Sequence, residues 1–168
     1  MTAVDALSPV AMPPGEATAR RVEHLLGDLI RICRDAEENF RVASARETSA
    51  LLQAKWLRRS HQRAGFAAAL QTLLRRHGVE EPADSGSLVG ALHRKWLEWR
   101  DGLSSGEGTA VVEGMRRAEH ATIKAYRDIL NDYPVGLYPE DAAVIAFQLR
   151  ECERTLDELQ SVAGVNAG

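Results

Sequence analysis

The sequence has no run of β-branched residues, no apolar stretch near the ~20 residues of a membrane helix, and two cysteines among 168 residues. Each absence narrows the outcome. Without β-branched runs there is little to build a sheet from, and the alanine, leucine, arginine and glutamate that dominate are helix formers. An all-α protein is expected. The missing apolar run excludes a spanning helix, and a start without a basic region followed by a hydrophobic one makes cytoplasmic residence the expectation. Cys33 and Cys152 show no C-x-x-C spacing, so they read as buried reduced thiols. Charge of one sign is also scarce: the formal net charge is −3 and the pI near 6.0. A chain so balanced has no overall pull on phosphate backbones or anionic lipid, which disfavours nucleic acid and membranes as partners. The glycine-containing stretches GVEEPADSG and SSGEG lack a phosphate-binding spacing, and no serine, histidine and aspartate set suggests a hydrolase.

What is present is helical periodicity. Residues 1–16 combine three prolines with small side chains and read as a disordered arm. A first helix is predicted over 17–45, with Val22, Leu26, Leu29, Ile30, Cys33, Ala36, Phe40 and Ala43 on its apolar face and Glu37 at the border. A second follows over 47–77 and stops at Gly78, suited to the left-handed C-terminal cap. Its middle, AGFAAAL, is small-sided, which leaves space or lets another backbone approach. A shorter helix from Ser87 to about residue 102 carries Leu88, Leu92, Trp96 and Trp99. A third long helix, 109–131, aligns Val112, Met115, Glu119, Thr122, Tyr126 and Ile129, so one carboxylate interrupts an apolar stripe. The last helix, 140–163, offers Ala142, Ile145, Leu149, Cys152, Leu156 and Leu159 as a seam with no polar interruption, and residues 164–168 should fray.

Short links make two antiparallel hairpins, and the long connection between them is a crossover containing a short helix. Domain organisation is therefore one four-helix bundle over residues 17–163, in the ferritin-like arrangement, with helices 2 and 3 parallel on opposite corners. Helix 2 carries Lys55, Arg58, Arg59, Arg63, Arg75 and Arg76 against Glu47, and helix 4 carries a surplus of acids, so their flanks complement one another. Cys33 and Cys152 then sit on diagonal helices, beyond the Cα separation of ~7 Å that a disulfide tolerates.

The segments DLIRICRDAEENF, HQRAGFAAALQTLLRRHG, SGSLVGALHRKW and RRAEHATIKAY resemble a bacterial family of ferritin-like four-helix-bundle proteins of unknown function. The resemblance implies the fold and leaves activity open. In ferritin-like proteins with a working centre, carboxylates and histidines of all four helices meet on two iron or manganese ions. The resemblance places Glu37, Gly65, Glu119 and Leu156 at those inward positions; glycine and leucine remove two sets of ligands. The residues agree, since no Glu-x-x-His occurs and a di-metal site needs roughly six ligands.

Glu37 and Glu119 remain as residual metal candidates, with His61 as a possible third ligand, while His120 points about 100° away from Glu119 on its helix. The favoured reading has each carboxylate bonded to Tyr126, Thr122 or an arginine, because an isolated buried charge is too costly. The expectation is a non-catalytic protein with a structural, interaction or stress-associated role, a degenerate di-metal site and no cofactor. The alternative is an iron- or manganese-binding protein with residual oxidase or storage activity. Trp96 and Trp99 either anchor the crossover helix on the bundle or form a homo-oligomer surface.

Overall fold

The computed structural model describes residues 15–82, 90, 93–94, 97–99, 101 and 108–166. Four long helices carry them: α1 (Glu16–Arg46), α2 (Ala50–Arg76), α3 (Gly108–Asp132) and α4 (Pro139–Asn166), with no strand among the described residues. Of the expected N-terminal arm only Gly15 and Glu16 are described, and Trp96, Ser87 and the last two residues of the tail lie outside the described residues. No described helix is long and apolar enough to cross a membrane.

Local chemistry sets the helix ends. Between α1 and α2, the Glu47 carboxylate accepts from the backbone N–H of Thr48 and Ser49, and the Ser49 hydroxyl accepts from Leu52 N, which caps α2. At the other end Gly78 takes φ +81°, Gly78 N donates to Arg75 O and Val79 N to Leu74 O, the paired bonds of a Schellman ending. Pro139 opens α4 at the first helical position, where its missing N–H costs nothing.

α1 lies beside α2 and α3, and α4 beside α2 and α3. Directions follow from contacts at the ends. Arg21 near the start of α1 pairs with Asp132 at the end of α3, and His77 at the end of α2 pairs with Asp141 at the start of α4. Both neighbour pairs are thus antiparallel, which leaves α2 and α3 parallel and diagonal. The Asp141 carboxylate receives His77 Nε2 and the Tyr133 hydroxyl, each at 2.7 Å, tying three helix ends together. Burial, with that carboxylate behind it, raises the Tyr133 phenol above its ordinary value.

The predicted faces of α1 and α3 are the buried ones, residue for residue. Apolar packing then forms two clusters. A lower one gathers Leu26, Leu29, Ile30, Cys33, Phe66, Leu70, Leu74, Ile123, Tyr126 and Ile145; an upper one gathers Phe40, Ala43, Trp56, Val112, Met115 and Leu159. Between them each helix contributes buried polar residues: Asn39, Ser60 and Arg63, Glu119 and Thr122, and Thr155. The seam of α4 differs from the uninterrupted one expected. Gln148 and Thr155 are fully buried on it, while Leu149 and Leu156 are only partly buried against the lower cluster. The buried stripe passes through Gln148 and Thr155, whose side chains bond across the core to α2 and α3.

Fasteners hold the connection against the bundle. Pro82 rests on Gly27, where an added Cβ would lie 3.1 Å from the proline Cβ. His93 Nδ1 sits 3.0 Å from both carboxylate oxygens of Asp35. The indole of Trp99 fills a notch at Gly114 so fully that a Cβ there would fall 1.4 Å from Trp99 Nε1. The ring thus packs on the bundle, the first of its two expected uses. Gly114→Ala should expel the ring, destabilise the fold by about 1–3 kcal/mol and red-shift tryptophan emission. Unchanged urea midpoint and emission would refute the notch.

Candidate functional site

The polar layer between the two clusters is the place where chemistry is concentrated. On α2 the inward line runs Trp56, Ser60, Arg63, Ala67, Leu70 and Leu74, so Arg63 points at the bundle axis with nowhere else to go. From the diagonal corner α3 sends Glu119 by the same logic. Arg63 is 0% exposed and Glu119 1%, and Arg63 Nη2 lies 2.5 Å from Glu119 Oε1. Burial this complete makes the pair mutually obligatory, since each ion alone would lose its hydration without recompense.

The rest of the layer serves the guanidinium. Nη2 also donates to Thr155 Oγ1 at 3.2 Å, and Nη1 donates to Cys152 Sγ. The Thr155 hydroxyl donates its own hydrogen bond to the Glu151 carbonyl at 2.9 Å, leaving its lone pairs to Arg63. The Phe40 and Phe66 ring centres stand 5.7 and 5.4 Å from Arg63 Cζ, one from each apolar cluster, within cation–π range. A second chain of bonds runs beneath. The Tyr126 hydroxyl donates to Gln148 Oε1 at 2.8 Å, so the Cys33 thiol, 3.0 Å away, donates to Tyr126; Gln148 Nε2 closes on the Phe66 carbonyl at 3.3 Å. Together the two chains link all four helices. Asn39, Thr122 Oγ1 and Arg63 Nε add buried polar atoms with no protein hydrogen-bond partner among the described residues.

Burial acts on every titratable group here. It works against the Arg63 charge, but Glu119 and the Cys152 sulfur outweigh it and hold the guanidinium above its ordinary value. It lifts the Glu119 carboxyl above its ordinary value, an effect the attraction of Arg63 offsets only in part. It also raises the Cys152 thiol and the Tyr126 phenol, and pushes Cys33 from 9.0 up to about 11. These are groups kept from reacting. Neither thiol has the low pKa or exposure of a nucleophile.

The residues expected to form a site are spread apart. Glu119 is in the layer, held by Arg63. Glu37 is half-buried on the outer side, lining with Arg34, Ala64, Ala67, Ala68 and Gln71 a groove of about 380 Å³ between α1 and α2. His61 and His120 are exposed. Gly65, expected inward, faces solvent with open space above it, and Leu156 is half-buried; the positions that do reach the layer are Arg63, Cys152 and Thr155. Among the described residues no group of three His, Cys, Asp or Glu side chains could hold a metal ion. Arg63 had a signal of its own in the sequence: it stands seven residues from both Trp56 and Leu70, an arginine on a heptad-spaced apolar line. Gln148 and Thr155 had none, because the line through Leu149 and Leu156 is the more apolar one in the sequence.

A profile of the family described as Domain of unknown function (DUF2383) matches residues 21–132. That span contains both Arg63 and Glu119 and stops before α4. No curated protein and no solved structure matches the chain.

Removing either partner should be severe. Arg63→Met and Glu119→Leu should each lower stability by about 3–5 kcal/mol, whereas the double variant should recover most of that loss, because no unpaired charge is left in the core. Urea denaturation of the four proteins reads this directly, and single costs under about 1 kcal/mol would mean the pair is not held as described. Cys33 supplies a second test. Its folded value lies above its ordinary one, so its contribution is fully present below pH 9.0 and is lost as pH rises through about 11. At pH 8 neither thiol should react with a chromogenic disulfide until guanidinium is added, when two thiols should titrate.

Proposed function

Since the chain belongs to the family described as a domain of unknown function, DUF2383, we propose its role from geometry: a non-catalytic, ferritin-like four-helix bundle that serves as a structural or interaction scaffold, in which an arginine occupies the place of the metal ions. The ferritin-like layout draws support from the two antiparallel hairpins, the diagonal parallel pair α2 and α3, and the connection of 31 residues between Arg76 and Gly108.

The observation that carries the reading is the position of Arg63. A permanent positive charge 2.5 Å from Glu119 takes the lone pairs a metal would need and repels any cation that approaches. Arg63 Nη1 claims Cys152, the other good donor nearby. Iron or manganese therefore does not fit these residues: Glu37 opens into the outer groove, His61 is exposed, and one engaged carboxylate falls far short of a di-metal ligand set. Burial favours the neutral forms of Cys33, Cys152 and Tyr126, as suits side chains that serve the shape of the core. The half-exposed Phe147, edge-on to Phe66, gives the scaffold an aromatic contact point on its α4 side.

Metal analysis after purification from medium supplemented with iron and manganese tests the reading. The expected content is far below one equivalent of either metal per chain. Near-stoichiometric metal that disappears in Glu119→Ala would establish the iron- or manganese-binding alternative instead.

A further inference from the structure

α2 carries more positive charge than its neighbours neutralise. Lys55, Arg58, Arg59 and Gln62 recur at three- and four-residue steps along one edge of the helix, and with Glu158 of α4 they line a concave site of about 240 Å³. Arg59 is committed within it: Nε donates to Glu158 at 3.2 Å, Nη2 to the other oxygen of the same carboxylate, and Nη1 to Gln62 Oε1 at 3.0 Å. Two further acids of α4 are also occupied. Glu151 is held by Arg154 and Gln62, and Glu153 by Arg127. Lys55 and Arg58 have no ion-pair partner among the described residues. Three cations thus line a cleft that holds one carboxylate, and only Arg59 is paired with it.

We propose that this site binds a small phosphate-bearing anion. A guanidinium fork matches two phosphate oxygens at once, and a lysine adds a point charge that tolerates either the terminal or the bridging region of a diphosphate. Arg59 is already ordered by Glu158, so binding costs less side-chain freedom there than at a loose surface arginine. Lys55 is only partly exposed, which strengthens its field in the cleft. The surroundings favour a small ligand over a nucleic-acid strand: Glu158 closes one wall, Glu151 lies within reach of Gln62, and the net charge of the chain is −3.

Inorganic pyrophosphate is the probe, titrated calorimetrically into the full chain at low ionic strength. Saturable binding at one site per chain is expected. Arg58→Glu should weaken it at least ~10-fold, the effect of losing one charge-assisted contact, while Arg76→Glu, an equal charge change at an exposed position outside the site, should alter it less than ~3-fold. Lys55→Ala is the second variant should the reversal disturb folding, with helical circular dichroism as the check. Absence of saturation, or equal weakening by Arg76→Glu, would overturn the proposal by reducing the site to general charge. A DNA duplex that binds more tightly than pyrophosphate and displaces it would overturn it too, by making the cleft part of a backbone-binding surface.

Discussion

An arginine and a glutamate that share the dry centre of the bundle constrain everything around them. Moving two ions out of water costs several kcal/mol each, and their mutual attraction returns that sum only when the geometry is close and the remaining hydrogen-bonding capacity is filled. The layer reads as the answer to that requirement. Thr155 turns its lone pairs inward by donating its hydrogen bond to the backbone, Cys152 offers a polarisable sulfur, and two phenylalanine faces cover the guanidinium above and below. The apolar core is divided in two as a result, with the polar residues as the boundary between Phe40 and Phe66.

The pair also joins helices that would otherwise not meet. α2 and α3 stand on opposite corners, so short side chains cannot bridge them; a long arginine reaching a glutamate can. Each hairpin therefore contributes one half of a bond that only the assembled bundle completes. The cluster of His77, Asp141 and Tyr133 does the same at one end, between α2, α4 and the turn after α3. Apolar burial supplies most of the driving force for association, but it is non-directional, and these polar contacts distinguish one docking of the hairpins from a rotated one.

How much of this could be read from the sequence depended on the helix. α1 and α3 each carry a single stripe, and its period placed Cys33, Phe40, Met115, Glu119 and Tyr126 inward correctly. A carboxylate on such a stripe must have a partner, and Tyr126, Thr122 or an arginine is the one the sequence leads to expect for Glu119. Heptad spacing from Trp56 and Leu70 marks Arg63 as that arginine, but α2 has basic residues on several faces and the family resemblance places Gly65 inward, two residues from the one that enters the core. On α4 two stripes share Ile145, Cys152 and Leu159, and the one completed by Leu149 and Leu156 is the more apolar. Hydrogen bonds across the core chose the one containing Gln148 and Thr155, and such bonds are tertiary facts with no local trace. Charge complementarity between α2 and α4 was visible in outline, and among the described residues of the two helices Arg59 realises it as an ion pair with Glu158 while Lys55 and Arg58 do not.

The long connection leaves α2 against Gly27 of α1 and arrives at α3 against Gly114. At both points the helix presents bare backbone, and the shape that fits belongs to a residue far off in the chain, Pro82 in one case and Trp99 in the other. An inherited change at either glycine is therefore felt first in the crossover rather than in its own helix. Pro82 and Trp99 are thus fitted to places where α1 and α3 carry no side chain at all.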